Sequence, residues 1–388
     1  MTSPTDTTLV VANDAQRASI YQNMWTQWDK ARGVTPEQAL EYYEWVNGLE
    51  PCRQGRLTYW ALVNRSDPES ADVLASTRTL RRQAKTLNKA DGKVSDVFSY
   101  VITSVVTPVH HRRNGYASHV LSLLHYAISI PGTLPPFPSA WGASPSSLIR
   151  PQDATFATLW SDVGADFYRR VQIGRGEGAR DGWIVNFDQE VRWDVSPLPD
   201  STEPPALPEG WRPLGNVTDI PHDLLESLTS RALASSTDIS APIIAYDPPS
   251  SPGILHWISR YKRWYPAQLP FEGEIHNVYI NESTSPASLI VLVPSYTPDE
   301  TPTLVVSYLG LSPTDSQLVE SSYDLLTAQA QRYRCEKVEV WQVPEEVTKM
   351  WKARSEGKVQ IVKRDEHLGA MVWYGEEPVE NVQAIGGE

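Results

Sequence analysis

The segment VVTPVHHRRNGYASHVLSLL, from Val105 to Leu124, constrains the fold more than any other part of the sequence. A β-branched run there ends at a proline, and a turn that contains Gly115 leads into an apolar segment. Apolar residues recur in that segment at helical spacing, which predicts a helix from about Arg113 to Ile130. A strand that feeds a helix through a short turn is typical of an α/β layer, so we expect such a layer here.

Similar elements recur on both sides of a proline-rich segment. Before it, the sequence predicts two helices, a helix at VGADFYRRV, and strands in RLTYWALVN, DVLASTRTLRRQ, DVFSYVITSVVTP and TFATLWSD. After it, two helices, three strands, a helix over about 314–332 and the strand KVEVWQV follow. A chain of 388 residues suits two cores. We therefore predict a domain over residues 1–195, a linker from Ser196 to Pro213 and a second domain over 214–388, all of the α/β (α+β) class.

Two local patterns refine this outline. In TPEQALEYYEWVNG, Thr35, Pro36 and Gln38 predict a helix that begins with a capping box. In contrast, PGTLPPFPSAWGASPSS has neither helical nor strand periodicity, so we expect a loop outside the core.

Charge and composition exclude several classes of function. The formal net charge of −13 argues against a nucleic-acid-binding surface and against docking on anionic membranes. The N-terminal sequence lacks the pattern of a signal peptide, and no apolar run is long enough to span a bilayer. Cys52 and Cys335 are far apart and show no metal-ligand spacing, and neither HExxH nor a Ser-His-Asp signature occurs. We expect a cytoplasmic protein with two reduced cysteines and no metal.

The turn before the long helix has the chemistry of an anion site. Backbone N–H groups and the positive end of the helix dipole meet there, and Arg112 and Arg113 add cationic donors. Gly115 permits the tight turn, and Ala117 leaves room for close approach. These residues fit a bound phosphate, and they also fit a solvated turn at the start of a helix.

The pattern Arg112-x-x-Gly115-x-Ala117, between a strand and a helix, resembles the acetyl-CoA motif of the GNAT acetyltransferase superfamily. The commonest versions of the motif have glycine at the position of Arg113, and this chain has one more residue between Pro108 and Arg112. The resemblance implies an N-terminal GNAT-type mixed sheet flanked by helices. It also implies acetyl-CoA as cosubstrate, bound by Val106, Arg112, Arg113, Asn114, Gly115, Tyr116, Ala117 and Ser118.

Three further segments are similar to the fungal lysine N6-acetyltransferase family: LASTRTLRRQ, HRRNGYASHVLSLLH and LWSDVGADFYRR. The resemblance implies a C-terminal GNAT-like α/β domain, which we expect to close the substrate site. It implies direct transfer of acetyl to the N6 amine of free L-lysine in a ternary complex. A backbone N–H between Thr103 and Val106 would stabilise the oxyanion, and Tyr168 would act as the acid. Another small amine, a protein amine, or a non-catalytic CoA-binding role stays open as an alternative.

Other polar residues have competing interpretations. Asp162 is predicted to cap the helix that contains Tyr168. His110 and His111 fit either phosphate contacts or exposed turn positions. The sequence does not choose a general base among Asp96, Glu274 and His276, and it leaves the oligomeric state open. Three arginines on a predicted strand could bind a substrate carboxylate or form a solvated face: Arg78, Arg81 and Arg82.

Overall fold

The computed structural model describes residues 4–145, 151–196, 198, 205–236, 241–248, 252–261, 274–296 and 300–385. Its helices are α1 (Asp14–Met24), α2 (Pro36–Gly48), α3 (Tyr116–Ile128), α4 (Ala165–Arg169), α5 (His222–Ser235), α6 (Pro252–Tyr261), α7 (Ser316–Arg332) and α8 (Glu345–Arg354). Among the described residues, no helix is long and apolar enough to cross a membrane.

The strands are β1 (Thr7–Val11), β2 (Leu57–Asn64), β3 (Ala75–Asn88), β4 (Lys93–Val106), β5 (Ala154–Ser161), β6 (Ile184–Phe187), β7 (Gln189–Asp194), β8 (Trp211–Pro213), β9 (Ile243–Tyr246), β10 (Val278–Asn281), β11 (Ser288–Ser295), β12 (Thr303–Gly310), β13 (Lys337–Trp341), β14 (Gln360–Lys363), β15 (Leu368–Trp373) and β16 (Val382–Ile385). They form two mixed sheets, one in each of two compact units.

The first unit comprises Met1–Asp188, Ile239–Asp247 and Asp365–Ile385. Its sheet has the order β1-β2-β3-β4-β5-β15-β6, with β9 paired to β3 and β16 paired to β9. The pairing is antiparallel except between β4 and β5 and between β9 and β16. Most of α3 is buried in the core cluster that also contains residues of β2 and β4, because its apolar residues occupy nearly its whole circumference.

The second unit comprises Gln189–Asp238, Pro248–Arg364 and Gly386–Glu388. Its sheet has the order β14-β7-β13-β12-β11-β10-β8, and only β12 and β13 are parallel. Both units therefore have a mixed sheet with helices, which agrees with the predicted α/β class. The predicted linker, Ser196–Pro213, falls inside this unit, in part outside the described residues.

The two units are not continuous in sequence, whereas we predicted continuous domains over 1–195 and 214–388. The strands β9, β15 and β16 lie beyond residue 214 but belong to the first unit. Strand β15 fills the position between β5 and β6, so the first sheet includes a strand from near the end of the sequence.

Several local predictions are confirmed and others are wrong. The capping box of Thr35 and Gln38 is present at α2. The long helix begins at Tyr116 instead of Arg113, because Arg113 and Gly115 both have positive φ. The proline-rich loop is not outside the core: Phe137 packs edge-on against Tyr126, with ring centroids 5.0 Å apart. Its apolar residues have no regular spacing, so periodicity missed them.

Candidate functional site

Strands β4 and β5 are paired over only part of their length. Their parallel register runs from Phe98 opposite Ala154 to Val101 opposite Thr158, whereas β4 continues to Val106. Strand β5 is paired along its length with β15 on its other side. The described pairing thus leaves the last residues of β4, after Val101, without a partner strand on the side facing β5, and an extended ligand can pair with this strand edge.

The open part of β4 contains a bulge at the predicted oxyanion position. Thr103 is opposite Arg78 and Val106 is opposite Ser76, so two residues of β4 face one residue of β3. Ser104 lies in the left-handed region, with φ of +55°. A bulge changes the direction of the neighbouring backbone N–H groups, so one of them can point towards a bound ligand instead of the adjacent strand.

The turn after β4 places the predicted phosphate-binding residues at the start of α3. Gly115 is the N-cap, with φ of +76°, and a Cβ there would meet no protein atom within 4 Å. The first described helical bond runs from the His119 N–H to the Gly115 carbonyl, at 3.0 Å. The N–H groups of Tyr116, Ala117 and Ser118 therefore have no partner within the helix and are available to an anion.

Arg112 and Arg113 are both exposed beside these N–H groups. Arg112 donates to the Thr107 carbonyl at 3.2 Å and to Gln27 Oε1 at 2.6 Å, which fixes the course of its side chain. Arg113 has φ of +66°, which explains why glycine is common at this position of the motif. The Asn114 side chain donates to the His111 carbonyl at 3.1 Å and braces the turn, and Val106, the last residue of β4, is buried.

Tyr168 lies on α4 and is buried, with Phe167 and Trp183 packed edge-on against its ring. Burial, with a smaller contribution from the charge of Asp162, raises the pKa of Tyr168, so the phenol stays protonated. Asp162 does not cap α4, because Gly164 occupies the N-cap; its carboxylate instead pairs with His367 Nδ1 at 2.7 Å.

The three arginines of β3 do not form a solvated face, because two of them are buried. Arg82 pairs with the buried Asp247 at 3.2 Å. Arg81 is partly exposed and donates from Nε to Asp153 at 3.0 Å. Arg78 donates from Nη2 to Ser104 Oγ in the bulge at 2.8 Å.

His110 and His111 lie with Asp72 beside the turn. His111 Nε2 is 2.8 Å from Asp72 Oδ1, His110 Nε2 is 3.9 Å from it, and the two rings are 4.1 Å apart. The side-chain ligand atoms of the three lie within 4.8 Å of one another, close enough to share an ion. Imidazole–carboxylate pairing accounts for this geometry, and the predicted absence of a metal stays a prediction.

A groove of about 410 Å³ lies between α1 and α2 in the first unit. Its lining includes the aromatic residues Tyr21, Trp25 and Tyr43, the acidic residues Asp14 and Glu44, and the basic residue Arg17. Asp14 is already paired with Arg17, whereas Glu44 is exposed. Aromatic rings combined with a carboxylate favour a cationic ligand.

The three candidate bases, among which the sequence does not choose, occupy different surroundings. Asp96 lies at the hairpin end of β4, where it pairs with Lys85. Glu274 and His276 belong to the second unit, and the His276 N–H donates to Tyr333 Oη at 2.9 Å. Sequence reasoning missed the link between Arg78 and Ser104, since the two residues are distant in sequence and only the pairing of β3 with β4 brings them together.

Part of the chain matches a known family model. Residues 233–388 match the LYC1 GNAT-like C-terminal domain. The chain is 30% identical over 152 residues to a lysine acetyltransferase of Yarrowia lipolytica. That match covers 39% of this chain and 34% of the relative, so it spans about a third of the relative's length.

Two solved structures share the fold over nearly the whole chain. One is a GCN5-related N-acetyltransferase from Anabaena variabilis, with a TM-score of 0.52 at 12% identity, covering 95% of this chain and 73% of that one. The other is an Enterococcus faecalis protein of unknown function described as a probable N-acyltransferase, with a TM-score of 0.51 at 10% identity and the same coverages. The fold is therefore that of GNAT proteins. The predicted resemblance to the fungal GNAT lysine acetyltransferases is confirmed as a resemblance over part of the chain, since residues 233–388 match the LYC1 GNAT-like C-terminal domain.

Proposed function

We propose that the protein is an acetyl-CoA-dependent N-acetyltransferase whose acceptor is the N6 amine of free L-lysine. The observation that carries this proposal is the parting of β4 from β5 after Val101, directly before a turn that ends at the N-terminus of α3. An extended thioester ligand with an anionic end fits a strand edge followed by an anion site.

The turn supplies the groups that a pyrophosphate needs. The N–H groups of Gly115, Tyr116, Ala117 and Ser118 and the helix dipole would hold its oxygens, with the guanidinium groups of Arg112 and Arg113 beside them. The open edge of β4 would pair with the amides of the pantetheine arm, which directs the thioester towards the bulge at Ser104.

The transfer needs loss of a proton from the ammonium before attack, loss of a second proton from nitrogen after attack, and one oxyanion donor. A lysine side chain has a pKa near 10.4, so freeing its amine at pH 7 costs about 4–5 kcal/mol. The neutral nitrogen then attacks the thioester carbon, and the carbonyl oxygen gains negative charge. A backbone N–H in the Thr103–Val106 bulge would stabilise that charge, a contribution of about 2.7–4 kcal/mol in comparable sites. The C–S bond then breaks and the attacking nitrogen loses a second proton as the amide forms. The leaving sulfur takes up a proton equivalent to this second one, and the first, from the ammonium, is released to solvent.

Tyr168 would assist the departing thiolate by donating a hydrogen bond. Burial raises its pKa, so the phenol is fully protonated at neutral pH. Complete proton transfer from it is uphill, because the thiol pKa is only about 8.5. We therefore assign Tyr168 the role of a hydrogen-bond donor in the transition state, with the proton from the amine as the final source for the thiol.

The choice of lysine is supported by two observations. The Yarrowia lipolytica relative carries the name lysine acetyltransferase. The aromatic and acidic groove between α1 and α2 suits an alkylammonium group.

The test is release of free thiol from acetyl-CoA by the purified full chain with free L-lysine, a polyamine, a lysine-containing peptide or no amine. We expect release with free lysine only, together with N6-acetyllysine identified by mass spectrometry. Release with another amine alone would change the acceptor but keep the enzyme class. Acetyl-CoA binding without release with any amine would favour a non-catalytic CoA-binding protein.

A further inference from the structure

Side chains of β3 hold the bulge in β4. Ser104 is a non-glycine residue with φ of +55°, a conformation that costs conformational energy unless its surroundings enforce it. Arg78 donates from Nη2 to Ser104 Oγ at 2.8 Å, and Thr77 donates from Oγ1 to the Thr103 carbonyl at 3.1 Å. Two successive residues of β3 thus bind Thr103, where the bulge begins, and Ser104 within it.

Arg78 is itself fixed in place. It is only 5% exposed, and its guanidinium lies 5.7 Å from the centre of the Tyr59 ring. The Tyr59 hydroxyl donates to Asn47 Oδ1 at 2.8 Å, and Asn47 Nδ2 donates to Tyr21 Oη at 2.8 Å. The planar, buried guanidinium is therefore held by a network that reaches α1 and α2, and it can hold Ser104 in turn.

We propose that Arg78 is a positioning residue for acetyl transfer: through Ser104 it holds the β4 backbone in the bulged geometry that aims an N–H at the acyl oxygen. This inference rests on the proposed function. Loss of an entire oxyanion donor lowers kcat by about 10²–10³-fold in comparable sites. If the donor is present but its direction is less well fixed, kcat should fall less, by about 10- to 100-fold.

Two substitutions at Ser104 separate backbone geometry from mere stability. Ser104→Ala removes the acceptor for Arg78 and keeps the conformational cost of positive φ, so we expect kcat to fall about 10- to 100-fold. Ser104→Gly removes the same acceptor but adopts positive φ freely, so kcat should stay within about threefold of wild type. The dissociation constant for acetyl-CoA should stay within about twofold in both, since the turn at Gly115 is untouched.

A third substitution and a control complete the experiment. Arg78→Lys keeps the positive charge but loses the planar guanidinium group. In the double variant its effect on kcat should not add to that of Ser104→Ala, because both substitutions break the same contact. If Arg78→Lys fails to fold, the Ser104 pair still decides. Ser95→Ala, on the same strand near the hairpin, should leave kcat unchanged.

The outcomes distinguish this inference from the proposed function. Wild-type protein that releases no thiol with any amine overturns both. Wild-type protein that transfers acetyl, with Ser104→Ala equally active, overturns the role of Arg78 alone. A fall in kcat for Ser104→Ala that Ser104→Gly largely restores, at unchanged acetyl-CoA affinity, supports it; a fall in thermal stability alone would indicate a merely structural contact.

Discussion

Acid should destabilise the first unit through one buried histidine on α3. His125 has no exposed surface, its Nδ1 lies 3.0 Å from the Tyr374 hydroxyl, and its ring centre is 4.4 Å from that of Trp183. Burial lowers the pKa of His125 to about 3, although a hydrogen bond with the Val171 backbone opposes the shift. In the folded unit the imidazole therefore stays neutral far below the pKa near 6.5 that it has in an unfolded chain.

The sign and size of the effect follow from this difference. Between pH 6.5 and about 3 the unfolded chain binds a proton that the folded unit does not. The free energy of unfolding is thus undiminished above pH 6.5 and decreases as the pH falls, by 1.36 kcal/mol per unit. From pH 7 to pH 5 the contribution of His125 is a loss of about 2 kcal/mol.

The assay compares wild type with His125→Gln, which cannot titrate. Other groups contribute equally to both proteins, so the difference between their urea-unfolding free energies isolates His125. Cys52 is buried in the first unit and Cys335 in the second. Unfolding of the first unit is therefore followed by the labelling of Cys52 with a thiol reagent active in acid, measured by mass spectrometry. The stability advantage of wild type over the variant should shrink by about 2 kcal/mol between pH 7 and pH 5. Parallel pH profiles for the two proteins would refute the reasoning.

Three further predictions concern the turn, the phenol and a buried ion pair. Gly115→Val should abolish acetyl-CoA binding measured by calorimetry, because a β-branched residue resists φ of +76°. Gly92→Val, at φ of +68° in the β3–β4 hairpin, is the matched control and should still bind acetyl-CoA. Retained binding by the Gly115 variant would rule out the phosphate turn. Tyr168→Phe should lower kcat by about 10-fold or more with little change in acetyl-CoA affinity, and a wild-type kcat would remove the phenol from the mechanism. Arg82→Met should lower the unfolding free energy in urea titrations by about 3–5 kcal/mol, because it leaves the Asp247 carboxylate buried without its cationic partner. The double variant Arg82→Met, Asp247→Asn should lose clearly less, and equal losses in the two proteins would contradict the pairing.

The sequence predicted what depends on local pattern. The helix after the turn, the capping box at Thr35 and the strand that precedes Pro108 all follow from residues that are neighbours in the chain. Positive φ at Gly115 was foreseeable, because glycine in a tight turn before a helix has few other roles. The positive φ at Arg113 was not, since only the folded turn imposes it on a side chain that disfavours it.

Contacts between distant segments could not be predicted in this way. Arg82 lies in a stretch that looks like a polar strand face, and the ion pair with the distant Asp247 helps to make its burial favourable. The contact between Arg78 and Ser104 depends on the bulge that joins them, and that bulge depends on the register of two strands. Strand β15 was missed for a similar reason, because a short apolar run gives no indication of which sheet it joins.

The placement of β15 has a consequence for synthesis of the chain. This strand pairs with β5 along Phe156–Ser161, yet it is translated roughly 200 residues later. At ordinary elongation rates the ribosome needs roughly 10–40 s to reach it, and for that time the edge of β5 lacks its partner. The sheet of the nascent first unit is therefore incomplete during this time, and its exposed strand edge can pair with other chains. We therefore expect chaperone dependence during expression and aggregation of chains cut before Leu368, because β5 gains this partner so late.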